Sequence, residues 1–302
     1  MSSSSRSPHA VRTSITTRLN NYAKANKQSL NLVRRRFVMA RFLARVFDAD
    51  PDGWILKGGV GMMVRLPDAR YSKDIDLLVA TDMSEAVEAL RHAGRDHAID
   101  HFRFEVGPPT QLSNGKGVTV RVEALLGGKV FDAFSIDLSS ARRELVGQVE
   151  RRPIPRLVDT DDFSQEPTAQ LYPLADQIAD KICAMYEVYG AVGTESGRYR
   201  DLVDLLLISS FLTIDLSSTV TALERERALR SIPALPTTLE SPGSTWPARW
   251  SATARESPLA ADYYDFAAAL AAANRCYSRI LSSLPAADHE ATWSHARDTW
   301  EY

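Results

Sequence analysis

Three things are scarce in this chain of 302 residues, and each scarcity excludes something. Cysteine occurs twice, at Cys183 and Cys276, with no motif spacing between them. That pattern argues against a disulfide framework or a cysteine-rich zinc site and points to a reducing cytoplasm. No apolar run approaches the roughly 18 residues that cross a bilayer, so no membrane span is expected. Acidic side chains are missing from residues 1–46, which hold ten Lys or Arg. The whole chain has 36 basic and 38 acidic residues, so 26 and 38 are left for residues 47–302, a balance of −12 there.

A basic arm on an acidic body has two readings. It can meet a nucleic-acid backbone, where each neutralised phosphate releases counterions. Alternatively Arg34, Arg35, Arg36, Arg41 and Arg45 solvate a helix or pair with the body. An Arg- and Ser-rich start without acids is also the composition of a transit peptide. Phe37, Val38, Phe42, Leu43, Val46 and Phe47 argue against that, because they continue the pattern of a core-facing helix in the mature fold.

Periodicity places helices near 8–25 and 28–48, then a turn at Asp50-Pro51-Asp52-Gly53. A buried strand at 54–57 ends on Gly58-Gly59, and a short helix from Val60 to Leu66 follows. Pro67 to Arg70 reads as a loop, 74–79 as a strand and 83–94 as a helix. Strand patterns recur at 101–106, 118–126 and 129–138, with turn signals at Asn114-Gly115 and Gly127-Gly128. Pro153 and Pro155 flank an expected edge strand, and Asp159 to Pro167 reads as a linker. Helices are expected at 173–190, 198–212, 217–230, 259–284 and 288–300. Four prolines make 232–258 a long loop. The organisation is thus a mixed α/β part, residues 1–160, followed by an α-helical part, residues 161–302.

Within the first part, Asp74 and Asp76 alternate along a strand and therefore project from one face. Side by side in a core they would repel and resist desolvation. A divalent cation removes that cost, and carboxylate oxygens are what magnesium prefers. On its own, Asp-x-Asp is more often a solvated strand edge. Gly58-Gly59 adds a second feature, because it ends a buried strand and opens a helix. Glycines there let backbone N–H groups approach a phosphate, and the helix dipole favours its charge. Without a ligand, the same pair is a tight strand-to-helix turn. His92, His97 and His101 have no metal-site spacing and read as surface residues.

Leu56-Lys57-Gly58-Gly59 followed by Arg70-Tyr71-Ser72-Lys73-Asp74-Ile75-Asp76-Leu77 resembles the signature of the AbiEii-type nucleotidyltransferase toxins. That family belongs to the polymerase-β-like superfamily and includes the mycobacterial MenT toxins. The resemblance runs over about residues 50–215. Ile136-Asp137-Leu138 is similar to the strand that supplies a third carboxylate. Asp180-Lys181-Ile182 and Arg198-Tyr199-Arg200-Asp201-Leu202-Val203-Asp204-Leu205 look like the family's helical Lys and Asp motifs. One departure stands out. Family members often carry Thr or Ser after the second glycine, whereas this chain has Val60 and Gly61, so phosphate binding rests on backbone N–H groups and basic side chains.

The resemblance implies a polymerase-β-like domain with a mixed sheet and an α-helical C-terminal domain closing the active-site cleft. It implies two magnesium ions on Asp74, Asp76 and Asp137, with an NTP as substrate. Lys57, Gly58, Gly59, Arg70 and Ser72 would hold the nucleotide, and Lys181 would neutralise the triphosphate. Asp201 or Asp204 would orient Lys181 or the acceptor hydroxyl, with Asp201 the preferred one. Each has a plainer reading: Asp137 as the cap of a turn at Ser139-Ser140, Lys181 as an ion-pair partner of Asp176, Asp180 or Asp201, and Ser72 and Arg70 as loop residues. A phosphate on Ser72 would place close to two negative charges beside the metal site. The implied activity is a toxin that transfers NMP to an RNA acceptor, the tRNA 3′ end, and inhibits translation, with a cognate antitoxin as partner. Two alternatives remain open at this point: a small-molecule, antibiotic-type nucleotidyltransferase, and a catalytically inactive nucleotide- or RNA-binding protein.

Overall fold

The computed structural model describes residues 6–66, 69–95, 100–112, 115, 117–140, 144–160, 163, 167–188, 195–284 and 290–302. Asn114, His97 and parts of the expected linker and last helix lie outside them. The chain divides into two compact units, one of residues 1–67, 71–143 and 150–171, the other of 68–70, 144–149 and 172–302.

The first unit opens with two helices, α1 (Pro8–Ala25) and α2 (Leu30–Ala49). Ser7 caps α1 by accepting from Ala10 N at 3.2 Å, and Pro8 costs nothing at the first turn because its N–H would be unpaired anyway. Val11, Ile15, Leu19 and Ala23 form its buried stripe, one residue every fourth position. Helix α2 buries Phe37, Val38, Phe42, Leu43, Val46 and Phe47. Phe42 packs edge-on against Phe104 and Phe134, at centroid distances of 5.1 and 5.7 Å. Burying rings of this size contributes about 1.5–3 kcal/mol each, so the arm is part of the core of this unit.

Its arginines are largely committed to the body. Arg45 is buried, donating to Gly94 O at 2.9 Å and to Asp100 Oδ1 and Phe102 O at 2.5 Å. Arg41 donates to Asp100 Oδ2 at 3.1 Å, Arg12 to Leu126 O at 2.8 Å, and Arg18 to Asp159 O at 2.7 Å. Part of the excess positive charge of residues 1–46 is therefore spent on contacts within this unit, to Asp100 and to backbone carbonyls.

These helices cover an eight-stranded mixed sheet in the order β3-β5-β6-β2-β1-β8-β7, with β4 (Thr110–Gln111) paired to β5. Strand β1 (Trp54–Lys57) is antiparallel to β2 (Asp74–Val79), and β2 is parallel to β6 (Lys129–Ser140). Strands β3 (Phe102–Val106) and β5 (Gly117–Leu126) continue that side antiparallel. Gly127 and Gly128, at φ +60° and +74°, make the two-residue turn between β5 and β6. Helix α3 (Gly58–Arg65) begins two residues earlier than the expected Val60, and α4 (Met83–Arg95) lies where the periodicity puts it.

Three readings of the first unit change. The edge strand is β7 (Glu150–Pro153), ending on Pro153 rather than lying between the prolines. In the stretch read as a linker, Phe163 joins the apolar core, as do Leu157 and Val158 just before it. A strand absent from the sequence reading, β8 (Thr168–Leu171), then pairs parallel with β1, Leu56 against Leu171. At four residues, with two buried, it offers too short an alternation to be seen. The unit therefore runs past residue 160.

The second unit holds α5 (Leu174–Tyr186), α6 (Tyr199–Phe211), α7 (Leu216–Leu229), α8 (Trp246–Arg255) and α9 (Phe266–Ser282). A 3-10 turn, Ala261–Tyr264, precedes α9 and replaces the start of the expected 259–284 helix. Helix α8 occupies part of the segment read as a loop, since Pro247 sits in its first turn, where proline is tolerated. The expected last helix is a hairpin, β10 (Thr292–Ser294) with β11 (Thr299–Glu301), which pairs with β9 (Ile214–Asp215). Trp293 and Trp300 face each other across it, a cross-strand aromatic pair that favours strand over helix. Trp246, Trp250 and Trp293 are fully buried, and each indole N–H reaches a backbone carbonyl, of Ser196, Tyr263 and Ser209, at 2.7–2.8 Å. The second unit is thus mainly, not wholly, helical.

Candidate active site

Register turns the first unit's polar residues into two rows on one sheet face. Asp76 lies opposite Lys57 on β1 and opposite Asp137 on β6, and Asp137 lies opposite Thr119 on β5. One row therefore reads Lys57, Asp76, Asp137, Thr119 across four strands. The neighbouring row reads Asp74, Ser135, Arg121. Opposed residues, and residues two apart, share a face. The other face of β2 buries Ile75 and Leu77 completely, which fixes the register: a slip of one residue would put both aspartates in the core.

Gly58 stands at φ +63°, a left-handed conformation that glycine alone adopts cheaply. A Cβ placed there would lie 1.8 Å from Asp76 Oδ2. Backbone and carboxylate thus share the space a side chain would take. Gly59 and Val60 follow in the first turn of α3, both buried. Gly61 lies against the Leu56 carbonyl, where a Cβ would come to 3.2 Å.

The carboxylates have distinct surroundings. Ser72, only 5% exposed, donates from Oγ to Asp74 Oδ1 at 3.0 Å. Burial holds the Asp137 carboxyl above its ordinary range; a hydrogen bond from Thr119 works against this and the charge of Asp74 works with it. Ser139 and Ser140 stay within β6, so there is no turn at that point for Asp137 to cap. An all-oxygen donor set, partly desolvated and self-repelling, fits a hard divalent cation. Among the described residues no three His, Cys, Asp or Glu side chains already form a closed cage. Magnesium ordinarily takes one or two carboxylates and completes its shell with water and phosphate oxygens, so an open pair on β2 fits it.

The second unit builds a separate buried cluster around Lys181. From α5, Lys181 Nζ donates to Asp204 Oδ2 at 2.5 Å and to Asp201 Oδ1 at 3.2 Å, both on α6. Arg70 Nη2 reaches the same Asp204 oxygen at 2.7 Å, and Arg198 Nε reaches Asp201 Oδ2 at 2.7 Å. The three-residue spacing puts both aspartates on one side of α6. Burial pulls the Lys181 pKa down, but Asp204 and Asp201 outweigh it and the net shift is upward. Burial likewise opposes ionisation of Asp201, and Lys181 and Arg198 reverse that, for a net downward shift. Asp204 is fully buried, and among the described residues its Oδ1 has no hydrogen-bond partner. Of the other partners considered for Lys181, Asp176 accepts from Val146 N and Gly147 N, and Asp180 pairs with Arg230.

The nucleotidyl transferase AbiEii toxin family of type IV toxin–antitoxin systems has a family model that matches residues 41–272. The chain belongs to this family. The match takes in the β1–α3 turn, β2, β6 and both motifs of α5 and α6, and leaves out α1, half of α2 and the final hairpin. Being an AbiEii chain makes it a nucleotidyltransferase toxin of a toxin–antitoxin system, with an antitoxin partner implied. Among solved structures, MenT4, a nucleotidyltransferase toxin from Mycobacterium tuberculosis, is similar at 19% identity and TM-score 0.48, over 90% of this chain and 98% of that one. JHP933 from Helicobacter pylori is similar at 14% identity and TM-score 0.40, over 67% and 81%. No curated protein sequence matches the chain significantly.

Three residues of this AbiEii chain escape sequence reasoning. Thr119, Ser135 and Arg121 join the carboxylate face through strand register alone, which no local spacing reveals. Asp204, named there only as the alternative to Asp201, is the nearer of the two to Lys181 and the partner of Arg70.

Proposed function

We propose that the protein transfers a nucleoside monophosphate from an NTP to the 3′ end of tRNA in the cytoplasm, and so stops translation. The observation that carries this reading is the face on which Asp74, Asp76 and Asp137 line up beside the Gly58 turn. In the reaction the acceptor's hydroxyl oxygen forms a bond to the α-phosphorus. The bond from that phosphorus to the bridging oxygen of the β-phosphate breaks, pyrophosphate leaves, and the hydroxyl proton passes to a base. Asp74, Asp76 and Asp137 would hold two magnesium ions, which when bound supply charge stabilisation to the attacking and leaving oxygens.

The chain's own groups have complementary tasks. Backbone N–H groups at Gly58, Gly59 and the start of α3 can meet phosphate oxygens directly, which suits a turn without the hydroxyl common in the family. Lys57 adds a positive charge in the same row as Asp76. Burial holds the Asp137 carboxyl above its ordinary range, so it is suited to drawing a proton from the acceptor hydroxyl. Lys181, with one N–H left after its two carboxylate bonds, can offset triphosphate charge, and Asp201 and Asp204 hold it in place. Arg70 assists through Asp204. Ser72 orients Asp74, and its phosphorylation would displace that bond and add repulsion where the metal belongs.

The test is one incubation of the purified protein with magnesium, each labelled NTP in turn, and total RNA. Label in tRNA-sized RNA that a 3′ exonuclease removes is the expected result. Label confined to small molecules would move the acceptor to another class, and no label in any product would leave only a binding protein.

A further inference from the structure

Next to Asp74, on the β5–β6 side, the first unit has an open recess of about 490 Å³. Its lining includes Arg35, Lys73, Asp74, Arg121, Asp132 and Ser135. The three cations come from three different elements: α2, the approach to β2, and β5. Arg121 stands in the same row as Asp74, two strands away. The volume falls in the roughly 300–1,000 Å³ range that accommodates a ligand of nucleotide size.

Two features say what charge the recess is suited to. Its cations outnumber its carboxylates, in a body that is otherwise acidic. The ion pairs it contains are loose or exposed: Arg121 Nε is 3.6 Å from Glu123 and 68% exposed, and Arg35 is 36% exposed while paired with Asp132 at 3.0 Å. Asp132 also accepts from Ala133 N at 2.7 Å, so it keeps a partner if Arg35 turns away. Such pairs exchange readily for a phosphate. Most other arginines of the basic arm named above are held by backbone carbonyls or by Asp100, and Arg35 reaches the recess.

The position separates this recess from the triphosphate's place. The Gly58 turn and Lys57 are on β1, at one side of the carboxylate strand, and the recess opens toward β6 and β5, at the other. An in-line displacement puts attacking and leaving oxygens on opposite sides of the phosphorus. We propose that the recess formed by Arg35, Lys73 and Arg121 seats the phosphodiester backbone of the RNA acceptor just before its reacting 3′ end. The inference rests on the transferase reading above and assigns the acceptor side of that same site. Arg35 lies outside the stretch matched by the AbiEii family model, so this contact is a property of the chain rather than of the family match.

The test is a double variant of the full chain, Arg35→Gln/Arg121→Gln, which leaves Lys73 beside Asp74 intact. With the NTP the wild type uses and tRNA as acceptor, KM for RNA should rise about tenfold while KM for NTP stays put. The slope of log RNA affinity against log salt should become shallower by about 0.7 per lost contact. Arg121→Glu alone should act in the same direction more strongly, and thermal melting confirms that each variant is folded. If the wild type labels RNA and the double variant keeps both its RNA KM and its salt slope, this inference fails and the transferase reading stands. A rise in NTP KM with RNA KM unchanged would give the recess to the triphosphate and overturn the inference. A wild type that labels no RNA overturns both.

Discussion

Gly58 and Asp76 occupy one another's space: a methyl group on the first would overlap a carboxylate oxygen of the second. That relationship couples the glycine turn to the carboxylate strand. Gly58→Ala would meet a steric clash and an unfavourable φ of +63° together. The backbone term alone costs roughly 1–2 kcal/mol. The variant should stay folded, with a melting temperature a few degrees lower, and lose most nucleotide transfer because Asp76 is pushed aside. Near-wild-type transfer by a folded Gly58→Ala protein would show that the turn does not set the carboxylate.

Asp74→Asn and Asp76→Asn keep the shape of the strand and remove one negative charge each. Both side chains are only half-buried, so stability should move by less than about 1 kcal/mol. Transfer should fall by at least 10²-fold, by analogy with loss of a charge-stabilising group. Transfer rates and far-UV circular dichroism measured together decide it; a folded variant with ordinary rates removes the residue from the site.

Lys181→Ala should damage stability as well as chemistry. It leaves Asp204 and Asp201 buried with one cation fewer, and breaking a buried pair from one side typically costs about 3–5 kcal/mol. Urea unfolding should show the midpoint drop. Lys181→Arg restores the charge but not its compact shape, so it should recover stability in part and NTP use less. An unchanged midpoint for Lys181→Ala would mean that the α5–α6 ion network contributes little.

The same cluster sets an acid dependence. Asp201 is shifted downward from 3.8 by Lys181 and Arg198, which outweigh its burial. Its contribution is therefore complete above that value and lost as pH falls through the lower folded value. Lys181 is shifted upward from 10.5, so its contribution is complete below 10.5 and lost only at higher pH. Between the two, this network should give no slope. Asp201→Asn should be less stable at neutral pH and should show a shallower loss below pH 3.8. Fluorescence of Trp246, Trp250 and Trp293, all in the second unit, reports it.

Much of the first unit is legible because its signals are local. Asp74 and Asp76 against Ile75 and Leu77 declare a two-faced strand, and the α2 phenylalanines declare a core helix. The tasks of the arm's arginines stay illegible, since composition cannot distinguish Arg45 buried on Asp100 from Arg35 at an open recess. What stays hidden depends on partners far along the chain. β8 has two buried residues and no pattern without β1 beside it, and Thr119 joins the site only through β6. Helix α8 is masked by prolines, one of which, Pro247, sits in its first turn. The last hairpin is misread because Trp293 and Trp300, seven apart, also fit a helical repeat; their pairing across a turn decides otherwise.

Leu56 finds its parallel partner, Leu171, 115 residues later, after the chain has left the first unit at 143 and returned at 150. On the ribosome, β1 therefore waits as an open edge until Thr168 to Leu171 emerge. An open edge next to apolar strands invites pairing with other chains. A gene fragment that stops at 160 includes Asp74, Asp76 and Asp137 yet leaves that edge bare, whereas one that stops at 171 closes it. Interrupted synthesis of this toxin should thus yield insoluble product instead of a small active enzyme.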